Sequence, residues 1–454
     1  MTPGLSTYRV AAMNVRILAW RSLSGEERKR IISRSELDIS EAIPQVQKII
    51  ERVRVEGDRA LVDHTRQFNG ADISGMPLAV QEEEFVRAES TLSAEVKEAI
   101  RFCANNVRVY HESQLPGPMS LGEVMPGVYA GERATPISAV GLYAPRGKGS
   151  FPSSTYMMAV PATVAQVPRI VVVTPPDSSG ACDPATLFAA RLCGAHEVYR
   201  VGGVQAIAAL AFGTQSIHRV EKFVGPGNQY VTAAKRLLVG VVDVGLPAGP
   251  SESMIVADES ADARLAALDL LIEAEHGPDS QALLVTPAEE FARAVAGLLP
   301  KFAESLPESR LAFVSKVFEN YGGVILTANA EEALAIVNDV APEHLQIATR
   351  DPLATLSGVR NAGEILLGQR TPFSLANYAI GANAVLPTGG KARSFSPLSV
   401  RDFLKYSSVA YLTAQGHQSL RDAAITLADY EGFPAHAMAL RERRTDETRT
   451  DTKN

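Results

Sequence analysis

Glu273 and His276 stand three residues apart in Glu273-Ala-Glu-His-Gly-Pro-Asp-Ser-Gln281, and a carboxylate and an imidazole at that spacing share one face of a helix. The run before them (Leu265, Ala266, Ala267, Leu268, Leu270, Leu271, Ile272) is apolar, and Gly277-Pro278 breaks it. The pair is therefore expected in a helix's last turn. There it could chelate a divalent metal or serve as an acid and a base. The competing reading is a solvated helix end with a C-cap glycine.

Two glycine turns offer a different chemistry. Gly202-Gly203-Val204-Gln205 and Gly225-Pro226-Gly227-Asn228 each follow a strand-like run, at the carboxyl end where open parallel sheets place ligands. Glycine lets backbone approach a phosphate or a ring, and the amides of Gln205 and Asn228 could fix a nicotinamide or a ribose. The G-x-G-x-x-G fingerprint is absent, so a standard dinucleotide site is not predicted. Any one such turn also reads as a simple tight connection.

The elements that must position these groups follow from periodicity. Residues 22–135 look mainly helical, with apolar spacing of three and four over Ile43–Val55 and Leu92–Val107. From about 136, short β-branched runs (169–174, 197–201, 222–224) alternate with helical stretches (184–193, 206–212, 230–238), the pattern of a parallel sheet. A second series follows, with strands at 253–257, 282–286 and 323–326 and helices at 261–276, 288–303 and 330–339.

At 454 residues the chain exceeds one ordinary domain, and 46% hydrophobic with 21% charged residues describes a globular protein with ample core. A net charge of −7 argues against nucleic acid or an anionic membrane as partner. No apolar run is long enough to span a bilayer, and the N-terminus lacks a secretory layout. Cytoplasmic location is the expectation, and Met13 could be the true start. Three scattered cysteines exclude a disulfide framework, and Cys193 reads as a buried core thiol.

Eight ordered motifs carry a resemblance: Val140-Gly-Leu-Tyr143, Val201–Leu210, Gly225–Asn228, Pro247-Ala-Gly-Pro-Ser-Glu252, Ala274–Ser280, Ala341-Pro-Glu-His-Leu345, Leu386-Pro-Thr388 and Glu431-Gly-Phe-Pro-Ala-His436. Through them the chain resembles histidinol dehydrogenase from about residue 30 to 440. The resemblance implies a zinc enzyme that uses two NAD in succession to oxidise a primary alcohol, through a bound aldehyde, to a carboxylate. It places Tyr143, Gln205 and Asn228 against NAD and makes Glu343 and His344 the catalytic pair. Glu273, His276, Asn377 and His436 become zinc ligands. Ser251 and Glu431 contact substrate, as do Glu273, His276, His344, Asn377 and His436. His436 would come from the neighbouring subunit of a domain-swapped homodimer.

The chemistry of the residues agrees. Alcohol oxidation needs a base for the hydroxyl proton, and imidazole with a pKa near ~6.5 can act near neutrality. A carboxylate beside it could activate water for the second oxidation. Bound zinc would polarise the substrate oxygens. The remaining histidines, His64, His111, His196, His218 and His417, match no family site and are expected at the surface or in satisfied core positions.

The expected fold is α/β: two Rossmann-like parallel-sheet domains with a helical N-terminal region and a small C-terminal helical extension. The expected division is a helical arm at 1–40, a first α/β domain at 41–139 plus 254–337, a second, NAD-binding one at 140–253 plus 338–398, and a dimerisation extension with a polar tail at 399–454.

Three departures from the family's pattern bear on the metal and the substrate. Glu273 stands where Gln is usual and Asn377 where Asp is usual, so one negative charge has moved between two ligands. Ala384 replaces a histidine that contacts substrate, which leaves imidazole recognition a hydrogen bond short. Arg146 and Lys148 replace uncharged turn residues, either as solvated charges or as attractors of a phosphate or an anionic substrate group. L-histidinol or a related small polar alcohol is the expected substrate. The alternatives are an anionic diol, as for paralogues such as sulfopropanediol dehydrogenases, and a non-catalytic metal- or nucleotide-binding homologue.

Overall fold

Short runs of β-branched and aliphatic residues become strands buried on both faces, as parallel sheets covered by helices require. The computed structural model describes residues 13–33, 39–146 and 149–443. In chain order the strands are β1 (Ile17–Ala19), β2 (Met119–Met125), β3 (Val128–Pro136), β4 (Ala139–Tyr143), β5 (Arg169–Val173), β6 (Glu197–Tyr199), β7 (Lys222–Val224), β8 (Glu252–Ala257), β9 (Gln281–Thr286), β10 (Gly323–Leu326), β11 (His344–Ala348), β12 (Glu364–Leu367) and β13 (Leu404–Leu412). By contacts the chain forms two units, residues 1–115 with 137–403, and 116–136 with 404–454.

The first unit holds two parallel sheets. One has four strands in the order β6-β5-β4-β7, the other six in the order β1-β10-β9-β8-β11-β12. In the six-stranded sheet His344 pairs with Ser253 on one side and with Glu364 on the other, while Glu252 pairs with Gln281. The amino ends of β9, β8, β11 and β12 are thus level, and the residues at their starts are neighbours.

Two parallel sheets flanked by helices are as expected, but their membership differs from the expected grouping. β11 and β12 pair in the sheet of β8 and β9, not with residues 140–253. The helices Ile43–Glu56, Glu82–Thr91 and Ala94–Glu112 pack on helices of the four-stranded sheet, not on residues 254–337. The apolar stripe Val46, Ile49, Val53 explains this, for it enters the same core as Ile207, Leu210 and Phe223. Arg200 locks that junction, donating to the carbonyls of Pro77 at 2.9 Å and Gly180 at 2.8 Å and pairing with Glu84.

The N-terminal region is not wholly helical: β1 lies parallel to β10 at the sheet edge before the helix Gly25–Ile32. Residues 119–135, read as mainly helical, instead hold β2 and most of β3 of the second unit. There the antiparallel order is β13-β3-β2, followed by the helices Ala414–Tyr430 and Pro434–Glu442. The C-terminal extension therefore opens with a strand. Its surface carries large apolar groups, among them Tyr411 (59% exposed), Tyr430 (89%), Phe433 (51%) and Met438 (59%). The polar tail beyond 443 and Lys148 lie outside the described residues. No helix among the described residues is long and apolar enough to cross a membrane.

Candidate active site

The helix Ala263–Ala274 begins where Asp262 accepts hydrogen bonds from the amides of Arg264 and Leu265, and it ends by delivering Glu273 into the interior, 1% exposed. One Glu273 oxygen accepts from Asn377 Nδ2 at 2.7 Å. The other lies 2.7 Å from His276 Nδ1, close enough for an ion pair. The pair expected at the last turn is there, with the His276 amide returning to the Glu273 carbonyl at 3.2 Å.

A second set of groups enters at the start of β11. Ala341 takes a left-handed conformation (φ 50°) that ends the helix Ala330–Val340, and Pro342 prevents its continuation. Glu343 and His344 follow at once. Glu343 Oε2 accepts from the Glu252 amide at 2.9 Å, and Glu252 Oε2 accepts from the Glu343 amide at 3.3 Å, a reciprocal lock between two strand starts. His344 Nε2 lies 4.0 Å from Glu343 Oε2, and its Nδ1 lies 2.9 Å from Glu364 Oε2.

Four carboxylates (Glu252, Glu273, Glu343, Glu364) and two imidazoles (His276, His344) thus share one largely buried region, and the protons of Glu273, His276, Glu343 and His344 are perturbed. Burial would raise the Glu273 carboxyl, but the imidazoles of His276 and His344 outweigh it and hold it down to about 2. The Glu273 carboxylate raises His276 against the opposing effect of burial. Burial pushes Glu343 up to about 8, with Glu273 and Glu252 adding to the rise. Burial would lower His344, but the carboxylates of Glu273, Glu343 and Glu364 push it up to about 10. The cluster carries more negative than positive groups, which suits a bound cation.

Tyr143 ends β4, and its hydroxyl accepts from the Gly203 amide at 3.1 Å. Gly225 has φ 135°, and a Cβ there would sit 2.5 Å from the Tyr143 carbonyl oxygen, so this turn admits only glycine. Asn228 caps the helix Gln229–Leu237, accepting from the amides of Tyr230 and Val231 at 3.0 and 3.2 Å. A cavity of about 850 Å³ is walled by Tyr143, Asn228, Ser251, Glu273, His276, Glu343, His344 and Asn377, so the structure brings eight of the expected residues together.

Other expected residues lie elsewhere. Gln205 is 1% exposed with its Nε2 unpartnered, and it is not on the cavity wall. Glu431 caps the helix Ala414–Tyr430 and His436 lies on Pro434–Glu442, both exposed on the second unit. Arg146 reaches the wall but is engaged, donating to the Ala181 carbonyl at 2.7 Å and pairing with Asp177 at 3.3 Å. Ala384 is on the wall and offers no polar side chain. Cys193 is buried as expected, its thiol pushed up to about 12 by burial. His111 is a satisfied core residue bonded to the Val107 carbonyl at 2.8 Å, whereas His64 is buried with neither ring nitrogen partnered. Sequence reasoning gave no role to Glu252, although it follows Ser251 directly, and did not find Glu364, whose place depends on strand pairing.

The sequence model of the histidinol dehydrogenase family matches residues 32–444. The chain belongs to the histidinol dehydrogenase family. A histidinol dehydrogenase of Synechocystis sp. is 51% identical over 428 residues, covering 94% of this chain and 99% of that one. A histidinol dehydrogenase homolog of Cereibacter sphaeroides is 50% identical over 430 residues, covering 94% and 97%. The crystal structure of histidinol dehydrogenase from Elizabethkingia anophelis superposes with a TM-score of 0.88 at 33% identity, covering 95% of this chain and 97% of that one. As a family member the chain is an NAD-dependent oxidoreductase acting on a CH–OH group, which leaves a non-catalytic reading without support.

The residues present also bear on a metal. Among the described residues no group of three His, Cys, Asp or Glu side chains has a metal-holding arrangement. Glu273 and His276 supply two such donors, and the Asn377 amide is the third group in contact. The His276 nitrogen beside the buried Glu273 carboxylate and the excess negative charge fit a divalent cation.

Proposed function

We propose that the chain oxidises a primary alcohol to the carboxylate in two NAD-linked steps with zinc bound at Glu273, His276 and Asn377. L-histidinol or a related small polar alcohol is the substrate. The observation that carries this reading is one cavity shared by Glu343 and His344, the Glu273–His276–Asn377 cluster and the Tyr143–Asn228 wall. When bound, zinc supplies positive charge to the substrate's oxygen. His436 of the partner subunit completes the ligand set in a homodimer. The exposed apolar groups of the second unit suit such a partner.

In this reading a bound cation would oppose protonation of His344 and Glu343, whose values of about 10 and about 8 hold without it, and His344 would then take the hydroxyl proton as hydride leaves for NAD. Glu343, beside it, takes a proton from the water that adds to the aldehyde, and a second NAD accepts the second hydride. Ser251 lies on the cavity wall to contact the substrate, and Glu431 of the partner subunit joins it. The amino end of the helix after Asn228 offers amides and a positive dipole end to a cofactor phosphate.

One observation favours a second substrate class. Ala384 leaves imidazole recognition unsupported, while the Arg310 guanidinium reaches the same wall, held by the Glu275 carbonyl at 2.9 Å. That combination supports a small anionic diol such as sulfopropanediol. NADH formation with NAD and zinc, across L-histidinol and a panel of sulfonated, carboxylated and neutral diols, decides between them. Two NADH per alcohol are expected for the true substrate, and a flat panel with zinc-loaded protein would sink the proposal.

A further inference from the structure

His344 needs more than proximity to act as a base: one ring nitrogen must hold the proton so that the other is free. β12 supplies the means. In the parallel register His344 faces Glu364, and Glu364 Oε2 lies 2.9 Å from His344 Nδ1, with the side chains 6% and 3% exposed. Phe373 meets the imidazole edge-on at 5.9 Å, so the ring is gripped on a second side.

The other oxygen of Glu364, Oε1, is buried with no hydrogen-bond partner. As a device for stability this is poor, because a buried carboxylate with an orphaned oxygen costs more than an apolar side chain of the same size. Its one clear service is to the imidazole.

We propose that Glu364 is the positioning residue of this site: its carboxylate accepts the Nδ1–H of His344, fixing the tautomer and ring orientation that leave Nε2, on the Glu343 side, as the basic nitrogen. No atom of Glu364 needs to touch substrate, and it acts only through His344. The proposal rests on His344 being the base in the reading above. The other charged groups around the ring, Glu343, Glu273 and His276, lie away from Nδ1 or at longer range and cannot replace this bond.

The test compares Glu364→Gln and Glu364→Asp with the parent protein. A glutamine can present its NH2 to Nδ1 and so favour the opposite tautomer. In E364Q kcat is expected to fall by ~10²–10⁴-fold, as when an imidazole's orienting carboxylate is neutralised, while KM stays within about threefold. The acidic limb of the kcat profile moves to lower pH, because a carboxylate that favours imidazolium is gone. E364D, which keeps the charge, recovers part of the loss.

The second readout needs no turnover. Nitrogen-15 NMR of the histidine side chains, with His344 assigned by its loss in H344N and the pH raised until its ring is neutral, should show Nδ1 protonated in the parent and Nε2 protonated in E364Q. Unchanged kcat in E364Q, or a loss of kcat with the same pH profile and the same His344 tautomer, overturns the proposal. If no alcohol yields NADH with the parent protein, the functional reading fails, and the tautomer of His344 still decides the role of Glu364.

Discussion

Gly363, the residue before β12, stands against the backbone of the catalytic pair. A Cβ built there lies 2.6 Å from the Glu343 carbonyl oxygen and 3.4 Å from its carbonyl carbon and Cα. The nearest contact is backbone, and two ladder hydrogen bonds pin it: Gly363 N–H to Pro342 O at 2.9 Å and Glu364 N–H to Glu343 O at 2.8 Å. Gly363→Ala must therefore open the gap by about 0.8 Å to reach ordinary contact at 3.4 Å. Overpacking of this kind costs about 1–3 kcal/mol, a fall in melting temperature of a few degrees. A displacement approaching 1 Å of a reacting group costs on the order of 10²-fold in rate. The expected result is a ~10–100-fold loss of kcat beside that modest thermal loss. Gly368→Ala is the control: it follows the other end of β12 at φ 80°, and nothing lies within 4 Å of its Cβ. It should lose about 1–2 kcal/mol from backbone conformation alone and keep its kcat. Steady-state NADH formation and thermal melting of both variants provide the assay. A Gly363→Ala enzyme with parental kcat, or a Gly368→Ala enzyme equally impaired, refutes the steric argument.

Two further outcomes follow from the buried charges. Glu273→Gln alone removes the carboxylate beside His276 and should empty the cation site, whereas Glu273→Gln with Asn377→Asp returns one charge and should retain metal. Metal content by plasma mass spectrometry checks both, and equal zinc in the two variants contradicts the charge-transfer reading. Asp269 is 6% exposed, and burial pushes its carboxyl up to about 6, with the Gln346 amide at 2.8 Å opposing. Between about pH 4 and 6 the folded state holds a proton that the unfolded state has released, so stability falls as pH rises through that window. Asp269→Asn removes the titration, and its melting temperature should gain on the parent's from pH 4 to 7 by the equivalent of up to about 3 kcal/mol. A constant difference across that range rules the effect out.

How much was legible in the sequence depended on whether a signal was local. The strands of both parallel sheets are buried on both faces, so Arg169–Val173 and Gln281–Thr286 announce themselves as β-branched and aliphatic runs. β2 is exposed along its whole length and β13 nearly so, and neither Met119–Met125 nor Leu404–Leu412 alternates clearly. β2 and β3 form a hairpin across a two-residue turn, but β13 reaches β3 only from the far end of the chain, and without an apolar alternation the strands over 119–135 give no local signal against a helix. The same limit explains the misassigned grouping, because β8 and β11 meet across 91 residues and no composition shift marks it. Within the site, Glu273 with His276 and Glu343 with His344 are visible as close pairs and through the family resemblance. Glu364 lies 20 residues beyond His344 and becomes its neighbour only when β11 and β12 align.

The level amino ends of β8, β9, β11 and β12 have an engineering consequence. Every strand of the six-stranded sheet that reaches the cavity does so at its start, so the connections leaving Ala257, Thr286, Ala348 and Leu367 begin at the opposite rim of that sheet. Most open parallel sheets crowd their ligands at that rim and cannot spare it. Here it is a place where the polypeptide can be cut and rejoined. Relocated termini, or an inserted reporter domain after Thr286 or Ala348, should leave the chemistry untouched. The same insertion after Tyr143 or Val224, where the smaller sheet turns toward the cavity, should abolish it.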